Sequence, residues 1–312
     1  MKDLYTLIDT KQYIDTNCYQ HQMSEALEAR FNVKYITLDR LDMSEVPRNA
    51  PVLSRLKLRS VCNNLGRLRE ALEARPVMVY DQDPWESFMV DGPYSGAYRR
   101  IYDTLNVSTF LNISHWWRDR VRDLGMPSKF VQVWTLPRYC REKAVPWRDR
   151  KHDVVFCGTM YPRRKAFFDS LESLGVKVEV LPAGRSYPDY LDAIAQARIA
   201  MRSEQLSWTI DTGTVQTITS ANALWKRDIE TAAQGCFSMR DGDAEMNHWH
   251  IDKIPTIIPF RDVEVAAQNV KWVLQLQPDL ADEMAQEGID FIRTAPGWSM
   301  TCDVIEGTVS AC

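Results

Sequence analysis

The sequence predicts an α/β fold with parallel sheets, divided into two domains. The chain has 312 residues, and globular domains usually contain about 100–200 residues. Short apolar runs alternate with amphipathic helical patterns along the chain, as parallel strands joined by crossover helices require. A second series of strands begins after a stretch with two prolines and many charges, which marks a boundary between two domains.

In the first half, residues 4–8 form an apolar run that predicts a buried strand, and a polar loop follows. Met23, Leu27 and Phe31 then recur at a spacing of four, which predicts an amphipathic helix. Apolar and β-branched runs predict the remaining strands, at residues 33–38, 77–80, 109–113 and 130–134.

The second half repeats this pattern. A helix is predicted from Phe167, Leu171 and Leu174, and another over residues 263–274 with Asp262 as its N-cap. Further helices are predicted at 190–197 and 220–234, and strands at 153–157, 176–181, 199–201 and 236–239. The predicted divisions are a first domain at 1–137, a linker at 138–151, a second domain at 152–295, and a C-terminal helix at 296–312 that packs back on the first domain.

Composition indicates an ordinary globular protein, with 45% hydrophobic and 26% charged residues. No apolar run approaches the roughly 20 residues that cross a bilayer, and the N-terminus has no signal-peptide pattern. Seven scattered cysteines without Cys-x-x-Cys spacing favour a reducing compartment, so we expect a cytoplasmic protein, in the host cytoplasm if the chain is viral. Residues 1–150 carry a net charge of +4 and the remainder −8, which suggests different partners for the two halves.

The turn after the predicted strand 153–157 is a candidate phosphate site. Gly158 permits close backbone approach, and a helix N-terminus with free N–H groups follows. The residues that would complete the site are Thr159, Arg163, Arg164 and Lys165. The alternative is a plain strand–helix turn with a solvated basic face, which the local sequence alone favours.

Arg227 and Glu230 are three residues apart and therefore share one face of a predicted helix. A carboxylate accepts two hydrogen bonds and matches a vicinal diol such as that of a ribose. Arg227 would balance a diphosphate or hold Glu230 in place. A surface ion pair is the alternative.

The segment 227–237, which contains Arg-x-x-Glu-x-x-Ala-x-Gly, resembles the signature of GT-B glycosyltransferases, closest to the CgeB-like group. Further similarities to that group lie at 154–158, 257–260, 284–288, 124–127 and 133–137. The resemblance implies two Rossmann-like domains whose parallel sheets face one another across a cleft. It also implies that Glu230 binds the donor ribose, that Tyr187 and Tyr190 lie near the nucleobase, and that no metal ion is needed.

Two departures from the family pattern concern mechanism and phosphate binding. Many retaining members carry a second glutamate eight residues before the ribose-binding one, and Asn222 stands there instead. The family's glycine-rich loop after the first strand is replaced by residues 9–12. The stereochemical outcome therefore stays open.

Asp81 and Asp83 follow a predicted strand and are candidates for the general base that an inverting mechanism requires. A turn with an aspartate N-cap is the alternative. His115 follows another strand and is a third candidate, or a helix-start histidine beside core tryptophans. His248 and His250 make only a weak metal pair, and we predict no metal site.

A basic stripe in the first half, with aromatic residues nearby, suggests an acceptor site. The stripe consists of Arg55, Lys57, Arg59, Arg67 and Arg69. We expect transfer of a hexose from a UDP-sugar, with UDP-glucose as donor and no other cofactor, to an acceptor hydroxyl such as a hydroxymethylated pyrimidine in DNA. Polysaccharide, protein and small-molecule acceptors remain alternatives, as does a non-catalytic sugar-nucleotide-binding protein. A nicotinamide-dependent oxidoreductase is disfavoured because Gly-x-Gly-x-x-Gly is absent.

Overall fold

The computed structural model describes residues 1–12, 18–181, 186–202, 208–218, 226–242, 246 and 251–311. The chain divides into two compact units. The first unit comprises Met1–Val133, Trp208–Ile218 and Trp298–Cys312, and the second comprises Trp134–Ser207 and Thr219–Gly297.

The first unit is built on a six-stranded parallel sheet in the order β2-β1-β3-β4-β5-β6. Its strands are β1 (Lys2–Ile8), β2 (Phe31–Thr37), β3 (Val52–Ser54), β4 (Val77–Asp81), β5 (Val107–Asn112) and β6 (Ser128–Phe130). The helices between them are α1 (Cys18–Glu28), α2 (Leu58–Asn63), α3 (Leu65–Leu72), α4 (Ala97–Thr104) and α5 (His115–Asp123). All five residues of β4 are buried, as expected of a parallel strand whose two faces are both covered.

Two segments that are distant in sequence complete the first unit. A hairpin of β10 (Trp208–Asp211) and β11 (Val215–Ile218) joins it through an antiparallel bridge between Met89 and Ile210. The C-terminal helix α11 (Trp298–Val309) packs against α1, where Arg30 binds Asp303 at 2.7 Å.

The second unit contains a five-stranded parallel sheet in the order β13-β12-β9-β7-β8. Its strands are β7 (His152–Cys157), β8 (Glu179–Leu181), β9 (Ala197–Arg202), β12 (Phe237–Asp241) and β13 (Ile257–Phe260). Its helices are α6 (Pro162–Ser173), α7 (Tyr187–Ala195), α8 (Lys226–Ala233), α9 (Val263–Leu274) and α10 (Pro278–Thr294). The strand order reverses beside β7, and in such doubly wound sheets ligands bind at the carboxyl ends of the strands.

Apolar side chains cover both faces of the second sheet. Ile199, Met201 and Met239 belong to the larger core, which packs beneath α6 and α9. Ala200 and Cys236 belong to a smaller core on the opposite face, with Ile194 of α7. A side chain at the carboxyl end of β9 or β12 on this second face therefore lies close to α7 and α8.

The observed elements differ from the predicted ones in several places. The strand predicted at 130–134 overlaps the observed β6 (Ser128–Phe130) only at Phe130, and residues 131–134 form no strand. Neither β3 nor the hairpin β10–β11 was predicted. Residues 138–151, predicted as a linker, belong to the second unit, where Trp147 is buried and Arg150 donates to the backbone oxygens of Ala197 and Gly235. Residues 208–218, which the predicted boundaries place in the second domain, belong to the first unit. In the described part of the chain no helix is long and apolar enough to span a membrane.

Candidate functional site

A buried polar cluster occupies the carboxyl edge of the second unit's sheet. Arg202 is the last residue of β9, and Arg240 lies near the end of the neighbouring strand β12. Helix α8 runs along the same edge and contributes Lys226, Asp228 and Glu230, all buried. Buried charged groups at strand ends are uncommon in a purely structural core, because each must be paired or bonded.

Glu230 is the central carboxylate of this cluster and is only 1% exposed. Its Oε1 accepts a hydrogen bond from the Tyr187 hydroxyl at 2.6 Å and lies 3.1 Å from the Lys226 Nζ. The Lys226 ammonium also lies 5.4 Å from the centre of the Tyr187 ring. Both interactions fix one carboxylate oxygen, so the side chain is held in a single orientation.

Arg227 does not hold Glu230 in place, contrary to one of the two roles expected for it. It is exposed, and its Nη1 donates to the backbone oxygen of Cys157 at 3.2 Å. Lys226 instead pairs with Glu230, because residues four apart stand above one another on a helix.

The turn at Gly158 lies where β7 ends and leaves no room for a side chain. A Cβ at this position would lie 2.9 Å from Cζ of Phe156 and 3.0 Å from Nη1 of Arg227. The close approach of the Arg227 guanidinium to this turn therefore requires glycine.

Two of the basic residues predicted around this turn, Arg164 and Lys165, have separate partners. Arg164 is buried, donates to the backbone oxygen of Thr159, and lies 4.8 Å from the centre of the Phe156 ring. Lys165 is exposed and binds Asp169 one helical turn away at 2.6 Å. Arg163 is exposed at the start of α6. The structure therefore does not gather Arg163, Arg164 and Lys165 at one point, since successive helix residues project in different directions.

Tyr187 and Tyr190 begin α7 and stack with a centroid separation of 6.2 Å. The Tyr190 hydroxyl accepts a hydrogen bond from Nη2 of Arg202 at 3.3 Å. Burial raises the pKa of Tyr190 above its usual range, so the hydroxyl keeps its proton. Each tyrosine thus makes one hydrogen bond, Tyr187 to Glu230 and Tyr190 with Arg202, and the stacked rings bring these two bonds next to one another.

A separate pocket of about 270 Å³ lies in the first unit, at the carboxyl ends of β3 and β4. Its charged lining comes from the segment after β3 and the segment after β4. The lining residues are Gln20, Arg55, Leu56, Lys57, Leu58, Arg59, Tyr80, Asp81, Gln82, Asp83 and Glu86.

Asp81 and Asp83 both line this pocket, but they differ in environment. Asp81 is buried, accepts from the Tyr98 hydroxyl at 2.9 Å, and accepts from the backbone N–H of Asp83 at 3.0 Å. Burial raises the pKa of Asp81 above the ordinary carboxyl range. Asp83 is half-buried at the start of the 3₁₀ turn Pro84–Ser87, and its side chain does not cap that turn.

His115 lies away from this lining set, at the start of α5. Its ring stacks on Phe130 with a centroid separation of 3.8 Å, and Ser114 caps the helix by accepting from the Trp117 N–H. The structure therefore places His115 as a helix-start residue packed on an aromatic ring.

The predicted basic stripe is not continuous. Arg55 is buried and donates to the Gln20 side chain at 2.9 Å and to the Ser24 hydroxyl at 2.9 Å. Arg67 donates to the backbone oxygen of Asp39. Three of the five residues, Arg55, Lys57 and Arg59, line the pocket. Because Arg55 is buried and bonded to Gln20 and Ser24, Lys57 and Arg59 are the two pocket cations that we assign to an acceptor.

Three residues discussed from the sequence, Asn222, His248 and His250, lie outside the described residues. Within the described part of the chain, no group of three His, Cys, Asp or Glu residues is placed to hold a metal ion.

Sequence reasoning missed Lys226, Asp228, Arg202 and Arg240. Asp228 accepts from the Ser238 hydroxyl at 3.0 Å, and its Oδ2 lies 3.6 Å from Nε of Arg240. Two signals were available: the spacing of four between Lys226 and Glu230, and a charged residue directly after the apolar run of β9.

No protein-family model and no curated protein matches this sequence. Solved structures do resemble it. Sucrose-phosphate synthase from Thermosynechococcus elongatus has a TM-score of 0.65 at 10% identity, with 100% of both chains covered. The trehalose-6-phosphate synthase OtsA has a TM-score of 0.65 at 7% identity, covering 100% of this chain and 99% of that one. An alpha,alpha-trehalose-phosphate synthase (UDP-forming) from Burkholderia vietnamiensis has a TM-score of 0.64 at 9% identity, with 100% and 99% covered. These likenesses show the fold, which is GT-B.

Proposed function

We propose that the chain is a glycosyltransferase that transfers a hexose from a UDP-sugar, with UDP-glucose as the donor, to an acceptor hydroxyl. The observation that carries this proposal is the buried carboxylate of Glu230, held by Tyr187 and Lys226 at the carboxyl edge of the second sheet. A carboxylate in a fixed orientation binds a hydroxyl pair such as that of a ribose. The structural neighbours include a synthase described as UDP-forming, which agrees with a uridine nucleotide here.

The first unit's pocket is the proposed acceptor site. Asp81 or Asp83 takes the proton of the acceptor hydroxyl. At the same time the oxygen of that hydroxyl forms a bond to the anomeric carbon of the donor sugar. The bond between that carbon and the diphosphate oxygen breaks, and UDP leaves with both bonding electrons. Burial supports Asp81 as the stronger base, because a raised pKa increases its affinity for the proton.

We further propose that the reaction needs no metal ion. The buried cluster of Lys226, Arg202 and Arg240 with Asp228 and Glu230 has a net positive charge, which would stabilise the negative charge of the leaving diphosphate. Transfer at an unchanged rate after treatment with EDTA is the expected result, and loss of activity restored by Mg²⁺ or Mn²⁺ would contradict it.

Incubation with labelled UDP-glucose tests the transferase proposal directly. We expect slow release of UDP and free glucose without an acceptor, and faster UDP release with the correct one. Other UDP-hexoses, offered in parallel, test the choice of glucose. Tight binding without turnover under any acceptor would instead identify a non-catalytic sugar-nucleotide-binding protein, and no binding of any UDP-sugar would refute the donor assignment.

For the acceptor we propose a hydroxymethylated pyrimidine in DNA, supported by the two pocket cations Lys57 and Arg59 beside a candidate base. A duplex containing hydroxymethylcytosine should become labelled, while an otherwise identical unmodified duplex should not. Binding should weaken with salt, because cations released from the phosphate backbone drive such association. If a polysaccharide, protein or small hydroxyl compound becomes labelled and the modified duplex does not, the DNA acceptor is refuted and the labelled compound is the acceptor.

A further inference from the structure

Two arginines lie at the carboxyl ends of adjacent strands, one at the last residue of β9 and one at the penultimate residue of β12. Arg202 of β9 and Arg240 of β12 are register partners, so their side chains leave the sheet side by side. They are 3% and 2% exposed. Nothing in the GT-B resemblance assigned a role to either residue.

The charges buried around these arginines do not balance within the described residues. The buried cations are Arg202, Arg240 and Lys226, and the buried anions are Asp228 and Glu230. Lys226 is 3.1 Å from Glu230, and Arg240 is 3.6 Å from Asp228. Asp228 also attracts the charge of Arg202, so these five side chains form one cluster with three cations and two anions. A buried cluster with a net positive charge is suited to receive an anion.

The hydrogen bonding of Arg202 also indicates an anion site. Its Nη2 donates to the Tyr190 hydroxyl at 3.3 Å. Its Nε and Nη1 are buried and have no hydrogen-bond partner among the described residues. Leaving such N–H groups unbonded costs free energy, which a phosphate oxygen would recover.

The Tyr190 hydroxyl is a further hydrogen-bond donor beside Nε and Nη1 of Arg202, on the side of the stacked Tyr187. Its oxygen accepts from Arg202, so its own proton is available to a ligand, and the adjacent guanidinium polarises the O–H bond. Burial raises the pKa of Tyr190, so the hydroxyl stays a donor across the physiological range. Tyr187, which stacks on Tyr190, bonds to Glu230 and joins this donor set to the proposed ribose-binding carboxylate.

We propose that Arg202, together with the Tyr190 hydroxyl, binds a phosphate group in the second unit. In the proposed function this group belongs to the diphosphate of the nucleotide-sugar, and free pyrophosphate offers the same chemistry. The inference rests on the proposed function for the identity of that ligand. The phosphate contact expected from Arg163, Arg164 and Lys165, which are dispersed, would then come from Arg202 at the end of β9 and from Tyr190 in α7.

Calorimetry with three probes tests the proposal: UDP, uridine and pyrophosphate. For Arg202→Gln we expect UDP and pyrophosphate affinity to fall by about 10-fold or more, as for loss of a charged hydrogen bond, while uridine binds as before. Tyr190→Phe should lower UDP affinity less, by about 5-fold. Arg198→Gln is the matched control, since Arg198 lies on the same strand but pairs with the exposed Asp153.

A melting curve without ligand separates binding from a structural role. Arg202→Gln removes the excess buried charge, so its melting temperature should equal or exceed that of the unsubstituted protein. A lower melting temperature with equal losses of uridine and UDP affinity would overturn the proposal, as would UDP and pyrophosphate binding that neither Arg202→Gln nor Tyr190→Phe changes.

The outcomes also separate this inference from the proposed function. If the protein binds pyrophosphate through Arg202 but binds neither uridine nor any UDP-sugar, the phosphate site stands and the donor assignment fails. If UDP-glucose is bound and turned over equally well by Arg202→Gln, the donor assignment stands and the phosphate site fails.

Discussion

Replacing Glu230 by glutamine tests the centre of the proposed donor site. Glutamine keeps the shape of the side chain and one carbonyl oxygen, but it removes the charge that faces Lys226 at 3.1 Å. Lys226 is 7% exposed and would remain as a buried cation without its partner. Removing one member of a buried pair typically destabilises a protein by about 3–5 kcal/mol, a large part of a total stability of about 5–15 kcal/mol.

The same substitution should weaken donor binding. A hydrogen bond from a ligand hydroxyl to a carboxylate contributes about 1.5–3 kcal/mol, which corresponds to a loss of about 10- to 150-fold in affinity for UDP-glucose. Loss of folded protein would also lower apparent affinity, so the single variant confounds the two effects.

A double variant, Glu230→Gln with Lys226→Met, separates them. Replacing both charges removes one cation and one anion together and adds no new unpaired ion, so we expect the melting temperature to return toward that of the unsubstituted protein. Its affinity for UDP-glucose, measured by calorimetry, should stay low. Glu179→Gln is the control, because Glu179 is 53% exposed and its ion pair with His152 contributes at most about 1 kcal/mol. A stable double variant that binds UDP-glucose normally would refute the assignment of Glu230.

Three further predictions follow from single sites. Asp81→Asn should leave donor binding intact and slow transfer by about 10²- to 10⁴-fold in a kinetic assay; normal turnover in both Asp81→Asn and Asp83→Asn would place the base elsewhere. Because burial raises the pKa of Asp81 in the folded state, the unfolded chain releases this proton at lower pH. Stability should therefore decrease as pH rises from the ordinary carboxyl range through the raised pKa, and melting curves of Asp81→Asn should lack that decrease. Gly297→Ala should be destabilising by about 2 kcal/mol or more, because its φ is +47° and a Cβ would lie 2.3 Å from Cδ1 of Trp134. Gly307→Ala, in a helix with open space around it, should instead stabilise by about 0.5–1 kcal/mol in chemical denaturation, and equal effects of the two substitutions would contradict this reasoning.

The fold class was predictable because parallel strands covered on both faces are continuous apolar runs. The segment Val77–Asp81 is such a run and is buried throughout. By contrast, β3 has only three residues, too few for a periodic pattern. The hairpin β10–β11 belongs to the first unit, although the segments before and after it in sequence belong to the second. Local sequence patterns do not show which unit such a segment joins.

The candidate site was predictable in its carboxylates and less so in its cations. Glu230, Asp81 and Asp83 were identified from their positions near strand ends or on one helical face. Holding Glu230 was one of two roles expected for Arg227, and Lys226 holds it instead; the spacing of four between Lys226 and Glu230 was not considered. Arg202 and Arg240 were missed because their proximity depends on the pairing of β9 with β12, two strands separated by more than thirty residues.

The two units bear differently on the choice between a transferase and a sugar-nucleotide-binding protein. Binding alone requires the second unit's cluster, in which Glu230 and Arg202 are linked by the two stacked tyrosines. It does not require a buried carboxylate in the first unit.

Asp81 is nevertheless held in a charged pocket with a raised pKa, at the free-energy cost that desolvation of a carboxyl group entails. A perturbed carboxyl group in a pocket is more common at catalytic sites than elsewhere, and this favours the transferase. Retained donor binding with lost transfer in Asp81→Asn would therefore distinguish the enzyme from the binding protein, because a binding protein has no second activity to lose.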